Sequence, residues 1–196
     1  MLINLIACGD SASKWDGSGD SIGVNDAAKW GHYIQRLVLL NTPNEFESDR
    51  LKTIEHTKPE FIYTCYREWQ KPIHQMNDMV YFQYHVWQGK LLSKGMGFQT
   101  SKTSPFCAIS IAYNLGYDEI VLWGVDFKNH KIWHNGHHGF AQEIKNYQQL
   151  AEQLKAKGVL VYSSEPSILK LPVYSKYPKS EQEMDKEYND KYYIKN

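Results

Sequence analysis

The chain has 196 residues, enough for one domain with a substantial core, and its 22 basic and 22 acidic side chains balance. This balance argues against a general binder of nucleic acids or anionic membranes. No apolar run approaches the roughly 20 residues of a membrane span, and a signal peptide is not indicated. Cys8, Cys65 and Cys107 are widely spaced in apolar surroundings, which favours reduced thiols in a cytoplasmic protein.

The N-terminal residues predict a strand followed by a small-residue loop. Residues 1–7 (MLINLIA) form the apolar run, and the loop contains Gly9, Asp10, Ser11 and Ser13. A loop in this position can approach a phosphate through its backbone N–H groups, although a plain tight turn is an equal alternative. Neither a dinucleotide-binding G-x-G-x-x-G motif nor a P-loop is present.

Two further apolar runs, at 21–24 and 36–40, predict strands that end in polar residues. The polar residues are Asn25 and Asp26 after the second strand and Asn41 after the third. If the strands are parallel, their carboxyl ends meet at one edge of the sheet, and these side chains converge there with the first loop.

The middle of the chain contains a less regular part. A helix is predicted at 48–57 and a strand at 61–65. Residues 67–97 are rich in aromatic side chains without a clear period, and they predict either a packed insertion or a lid, with packing favoured.

The most informative stretch follows. Thr103 and Ser104 can cap a helix over 105–115, and the apolar run 119–125 is typical of a parallel strand covered on both faces. Asp126 lies just past that run, where an open α/β sheet places its ligands. The hydroxyl groups before the helix and the acid after the strand favour a ligand site over a purely structural unit.

A histidine-rich segment comes next, with His130, His134, His137 and His138. Their spacing matches no zinc motif, so a role as a general base is favoured over metal binding. An amphipathic helix is predicted at 140–157 and a last strand at 159–162. A polar loop then contains Ser163, Ser164 and Ser167.

Alternating strands and helices predict the α/β class. We expect a single Rossmann-like domain over residues 1–175, with a mostly parallel sheet flanked by helices. Residues 176–196 are charged and rich in tyrosine, and they predict a loose tail or an arm packed on a neighbour.

Five short motifs carry a resemblance to a known family. They are IACGDSAS at 6–13, IGVN at 22–25, the Thr-Ser pair at 103–104, LGYDEI at 115–120 and GVDF at 124–127. Together they resemble the bacterial CMP-sialic-acid sialyltransferases of the Campylobacter lipooligosaccharide type. They are also similar to phage-encoded relatives of these enzymes and to archaeal hydroxymethyl-dihydropterin pyrophosphokinases, which share the fold.

The resemblance implies a set of site residues. The nucleotide would contact Gly9, Asp10, Ser13, Asn25, Thr103 and Ser104, with Ser163, Ser164 and Ser167 nearby. In the family, the general base precedes a helix with an acid-Ile-Lys pattern, and Glu143-Ile144-Lys145 places this base at His138. The resemblance also implies inverting transfer without a metal, and a homo-oligomer.

The chain departs from the family at several positions. Ser11 and Ala12 replace a glycine and a proline of the first loop, and the Cβ atom of Ser11 would restrict a close backbone approach to phosphate. Lys128 and His134 stand where the family has tyrosines that assist the departing phosphate. A cation and an imidazole could stabilise the same charge, or the donor could differ.

Three hypotheses follow. The first is a small glycosyltransferase that uses a nucleotide-activated sugar, with His138 as general base and Asp126 as a positioning acid. The second is a pyrophosphokinase-like enzyme that needs Mg²⁺, held by Asp10, Asp26 and Asp126. The third is a nucleotide-binding protein without catalysis. In each case the nucleotide base is open, and in the first the sugar and the acceptor are open too.

Overall fold

The computed structural model describes residues 1–70, 78–127 and 139–175. In these residues, seven strands form one parallel sheet. They are β1 (Leu2–Ile6), β2 (Ser21–Val24), β3 (Arg36–Leu39), β4 (Phe61–Thr64), β5 (Asp78–Tyr81), β8 (Glu119–Trp123) and β9 (Leu160–Ser163). Their order across the sheet is β5-β4-β3-β2-β1-β8-β9. Strands β6 (Tyr84–Val86) and β7 (Phe98–Thr100) pair in a separate parallel ribbon. The predicted α/β class with a mostly parallel sheet is confirmed.

Helices cover both faces of the main sheet. They are α1 (Ser48–His56), α2 (Ser104–Leu115) and α3 (Gly139–Lys155). Short 3-10 turns lie at Asp10–Lys14, Ala27–Trp30, Pro43–Glu45 and Arg67–Gln70. None of the helices in the described part of the chain combines the length and apolar character that a membrane crossing requires.

Burial of the central strands explains why their sequences are continuously apolar. Ile3, Leu5 and Ile120 are fully buried and share one core with α2 and α3. On the opposite face, Leu37 and Ile62 pack with residues of α1 in a second core. A parallel strand covered on both faces needs apolar residues at successive positions, and the apolar runs of β1, β3 and β8 meet that need.

Helix α2 is buried nearly all round, as its sequence predicts. It contacts β1, β2 and β3 on one side and β7 on another. Gly116 ends the helix in the left-handed conformation, with φ +94°. Because β8 begins soon after α2 ends, the N-terminus of α2 lies toward the carboxyl ends of the strands.

The strand order creates a topological switch point. Strand β1 pairs with β2 on one side and with β8 on the other. The chain runs from β1 outward through β2 to β5, and from β8 outward to β9. In open α/β sheets, ligands bind outside the carboxyl ends of the strands at such a point. The loops after β1 and β8 therefore form the expected location of a site.

One strand of the main sheet lies where the sequence predicts no regular element. Strand β5, inside the 67–97 stretch, pairs with β4 at the edge of the sheet. Its apolar residues, Met79, Val80 and Tyr81, lie within a longer stretch of aromatic side chains that has no clear period, so the sequence pattern does not mark them as a separate strand. Whether the 67–97 stretch is a packed insertion, which is the favoured alternative, or a lid stays a prediction, and the 176–196 tail lies outside the described residues.

Candidate functional site

The loops after β1 and β8 pack backbone against backbone at the switch point. The N–H of Ala7 donates to the carbonyl of Trp123 at 2.8 Å, and that of Gly9 to the carbonyl of Gly124 at 3.0 Å. A Cβ atom on Gly9 would lie 2.5 Å from the Gly124 carbonyl oxygen. A Cβ atom on Gly124, whose φ is +75°, would lie 2.8 Å from the Gly9 carbonyl oxygen. The approach thus requires glycine at both positions.

Ser11 and Asp126 join the same two loops through their side chains. The Asp126 carboxylate accepts the Ser11 N–H at 3.0 Å and also the Ser11 hydroxyl. The Ser11 hydroxyl in turn accepts the Gly124 N–H at 2.8 Å. Ser11 is buried, so its side chain lies within the contact between the loops. Asp126, expected to be a positioning acid, holds the first loop against the loop after β8.

Two polar residues of the first loop face outward. Asp10 and Ser13 are exposed, and the Ser13 hydroxyl donates to the Asp10 carbonyl at 2.7 Å. Lys14 forms an ion pair with Glu165, which lies in the loop after β9. The first loop is therefore connected to the loops that follow both β8 and β9.

Asn25 follows β2 in an unusual conformation. Its φ is +53°, in the left-handed region that asparagine tolerates better than most residues. Its N–H donates to the Val38 carbonyl at 3.1 Å. The side-chain Oδ1 atom is buried, and no described residue donates a hydrogen bond to it. A buried acceptor without a partner costs about 1–3 kcal/mol, so this amide is suited to a ligand that supplies a donor.

Asp26 has partners inside the protein. Its Oδ1 atom accepts hydrogen bonds from Arg50 Nε at 3.1 Å and Nη2 at 2.7 Å, and from Cys8 Sγ at 3.3 Å. Burial acts to raise the pKa of the Asp26 carboxyl, but the hydrogen bond and charge of Arg50 outweigh it and lower the pKa. Burial, together with Asp26, raises the pKa of the Cys8 thiol to about 12.

The lowered pKa has a defined effect on folding. Because the Asp26 carboxyl ionises more readily in the folded state, the pair contributes stability above the unfolded-state pKa of this group. That contribution is lost as the pH falls through the folded-state pKa.

The sequence pattern did not identify Arg50, which carries no motif on its helix.

A buried hydroxyl cluster lies at the N-terminus of α2. The Thr103 hydroxyl donates to Glu143 Oε1 at 3.0 Å and lies 2.6 Å from the Tyr147 hydroxyl oxygen. The Ser101 hydroxyl also donates to Glu143, which is fully buried. Thr103 makes no side-chain cap to the helix. Ser104, the first helical residue, is itself buried.

Glu143 was not predicted as a site residue, although it belongs to the acid-Ile-Lys pattern that places His138. It lies on α3, and Asn146 of the same helix donates to its carboxylate at 3.2 Å. Burial raises the pKa of the neighbouring Tyr147 phenol well above its ordinary value, which keeps the hydroxyl protonated. The cluster therefore anchors the residue before α2 to α3 through neutral donors and one carboxylate.

The remaining predicted residues at this edge have internal partners. The Asn41 side chain donates to Glu45 at 3.2 Å. The hydroxyl oxygens of Ser163 and Ser167 are 3.1 Å apart and buried, and the Ser164 N–H donates to the Leu122 carbonyl at 2.9 Å. These contacts order the loops after β3 and β9.

The predicted base and phosphate-binding residues fall outside the described ranges. They are Lys128, His134 and His138. The structure brings the other predicted residues to the carboxyl edge of the sheet, and their contacts with a ligand stay predictions. They are Gly9, Asp10, Ser11, Ser13, Asn25, Asp26, Asn41, Thr103, Ser104, Asp126, Ser163, Ser164 and Ser167.

The carboxylates predicted to hold Mg²⁺ can be compared with their contacts in the structure. Within 1–70, 78–127 and 139–175, no three His, Cys, Asp or Glu side chains group as metal ligands. The Asp26 carboxylate binds Arg50, and that of Asp126 binds Ser11. Both carboxylates therefore already accept hydrogen bonds from protein partners, and their contact with Mg²⁺ stays a hypothesis.

The fold is shared with solved sialyltransferase structures. The sialyltransferase CstII from Campylobacter jejuni, in complex with the substrate analogue CMP-3FNeuAc, has a TM-score of 0.52 at 14% identity. That comparison covers 91% of this chain and 87% of the other. CstII with a trisaccharide acceptor and CMP gives a TM-score of 0.51 at 14% identity, covering 92% of this chain and 88% of the other.

A third solved structure shows the same degree of similarity in fold. CstII from Campylobacter jejuni in complex with cytidine-5'-monophosphate gives a TM-score of 0.50 at 14% identity, covering 92% and 90% of the two chains. No protein-family model matches the chain, and no curated protein matches it in sequence. At this identity the comparisons establish the fold, and they confirm the resemblance read from the sequence at that level.

Proposed function

We propose that the protein is a small glycosyltransferase that uses a nucleotide-activated sugar, with a CMP-sugar as the first candidate. The observation that carries the proposal is the site at the switch point. There, the loops after β1 and β8 are in close contact through Gly9 and Gly124. The side-chain oxygen of Asn25, at the end of the neighbouring strand β2, has no hydrogen-bond donor among the described residues. The similar fold of CstII, whose structures were solved with CMP and with CMP-3FNeuAc, supports a nucleotide as the ligand.

In this proposal the loops hold the nucleotide and the histidine-rich segment supplies the chemistry. His138 accepts the proton of the acceptor hydroxyl while that oxygen bonds to the anomeric carbon of the sugar. The bond from the anomeric carbon to the phosphate oxygen breaks, and the nucleotide leaves with that electron pair. Lys128 and His134 stabilise the charge that develops on the phosphate. The reaction inverts the anomeric centre and requires no cofactor.

Asp126 acts here through the first loop. Its hydrogen bonds to Ser11 hold the loop that bears Gly9 and Ser13 against the loop after β8. A loop fixed in this way keeps its outward-facing residues Asp10 and Ser13 in place, so a nucleotide would bind there without reorganisation at the moment of reaction.

A thermal-shift screen tests the proposal. CMP, CDP, UDP, GDP and ATP are each added with and without Mg²⁺, to the wild type and to Asn25→Ala. We expect stabilisation by a cytidine nucleotide without metal, equivalent to about 2.7 kcal/mol at 100 times the dissociation constant. Asn25→Ala should reduce it.

Each other outcome has a definite meaning. Stabilisation by ATP only with Mg²⁺ would favour the pyrophosphokinase-like alternative. Binding of a nucleotide without turnover of any nucleotide-sugar would favour a non-enzymatic binding protein. The absence of any shift would contradict a nucleotide site altogether.

A further inference from the structure

We propose that Arg50 is a positioning residue for the nucleotide site. Its ion pair with the buried Asp26 fixes the left-handed turn at Asn25 and thereby holds the Asn25 amide in its ligand-binding orientation. The inference rests on the proposed function of this edge of the sheet, and it assigns a role to a residue on α1 that no motif identifies.

The ion pair connects three separate elements. Arg50 directs two nitrogen atoms at one Asp26 oxygen, at 3.1 and 2.7 Å. The Cys8 thiol, in the loop after β1, donates to the same oxygen at 3.3 Å. The Arg50 guanidinium also lies 5.1 Å from the centre of the Phe46 ring, which limits its freedom. Helix α1, the first loop and the turn after β2 therefore meet at one carboxylate.

Asp26, which bears this carboxylate, directly follows Asn25, the residue with the left-handed backbone. Asn25 has φ +53°, and its N–H is held by the Val38 carbonyl. On the other side, the Asp26 carbonyl accepts the Lys29 N–H at 3.0 Å. The turn is thus anchored by backbone bonds at both ends and by the Asp26 side chain between them. Asparagine tolerates the left-handed conformation better than most residues with a side chain, and these contacts hold the turn at Asn25 in it.

Loss of Arg50 would leave the buried Asp26 carboxylate without its cation. The Asp26 side chain is only 6% exposed, whereas that of Arg50 is 41% exposed. A buried carboxylate without its cation is unstable, so it would take up a proton or turn toward solvent. Either change releases the turn, and Asn25 would leave the orientation that presents its amide to the nucleotide.

A double-mutant cycle separates this role from a general structural one. The dissociation constant of CMP is measured by calorimetry for wild type, Arg50→Gln, Asn25→Ala and the double variant. We expect Arg50→Gln to weaken binding by about tenfold in the wild-type background and by less than about twofold when Asn25 is already alanine. Lys52→Gln, an exposed cation on the same helix, serves as the control and should leave binding unchanged. Equal loss in both backgrounds would overturn the inference.

A second measurement does not depend on a ligand. Hydrogen exchange of the Asn25 N–H, which is bonded to Val38, should accelerate about tenfold in Arg50→Gln, while that of Leu5 in β1 stays unchanged. Arg50→Lys keeps the charge and should shift the exchange less, in the same direction. Wild-type exchange at Asn25 in both variants would overturn the inference. Absence of binding of CMP and of every other nucleotide in the screen to the wild type would instead contradict the proposed function and leave the exchange result to decide whether Arg50 holds the turn at Asn25.

Discussion

Gly124→Ala is expected to destabilise the protein severely and to abolish nucleotide binding. The added Cβ atom would lie 2.8 Å from the Gly9 carbonyl oxygen, and 2.9 Å from both the Ala7 carbonyl oxygen and the Ala12 Cβ atom. Two of these neighbours are backbone, so the first loop must move away from β8. With φ at +75°, we expect a loss of about 3 kcal/mol or more in the free energy of unfolding, measured by urea denaturation.

Gly158→Ala is the matched control for this change. Gly158 has nearly the same φ, +78°, but a Cβ atom there would meet nothing within 4 Å. Gly158→Ala should therefore lower the free energy of unfolding only by the cost of placing alanine in the left-handed conformation, about 1–2 kcal/mol. Nucleotide binding should stay at the wild-type level. Equal destabilisation in the two variants, with nucleotide binding kept in Gly124→Ala, would contradict the close contact of the loops as the basis of the site.

His138→Ala is expected to lower the rate of sugar transfer by about 10²–10⁴-fold, the usual contribution of a general base. Nucleotide affinity should change little, because in the proposed reaction this side chain contacts the acceptor hydroxyl. The rate is followed as release of CMP from a CMP-sugar in the presence of candidate acceptors, and affinity is measured separately by calorimetry.

A second histidine provides the control for that experiment. His56 is exposed at the end of α1, toward the opposite edge of the sheet, and its Nδ1 atom contacts the Lys52 carbonyl at 2.6 Å. His56→Ala should transfer sugar at the wild-type rate. If His138→Ala also turned over at the wild-type rate, the base would lie elsewhere and the assignment drawn from the acid-Ile-Lys pattern would be wrong.

The sheet could be predicted from the sequence because its central strands are buried on both faces. The runs around Leu5, Leu37 and Leu122 are apolar at successive positions, and each is followed by a polar loop. Gly116 marks the end of α2 for a local reason, its left-handed backbone. Such features depend on near neighbours in the chain, so a linear pattern reveals them.

The partners within the site could not be predicted in the same way. Ser11 and Asp126 are 115 positions apart, Asp26 and Arg50 are 24 apart, and Ser101 and Glu143 are 42 apart. Each pair meets only because the strand order brings separate loops and helices together. Ser11 illustrates the difference. The sequence suggests that its Cβ atom restricts the approach of the backbone to a phosphate, whereas in the structure its hydroxyl joins the loops after β1 and β8. Strand β5 was not predicted for another reason, since its short apolar run is surrounded by aromatic residues without a clear period.

An NMR titration of the isotope-labelled wild-type protein with CMP, in the absence of metal, tests most directly whether a nucleotide binds at the switch point. We expect the largest amide shifts to cluster at Gly9, Asn25, Gly124 and the start of α2, around the carboxyl ends of β1, β2 and β8. Shifts confined to the opposite edge of the sheet, or no shifts with CMP or any other nucleotide, would contradict a nucleotide site at the switch point.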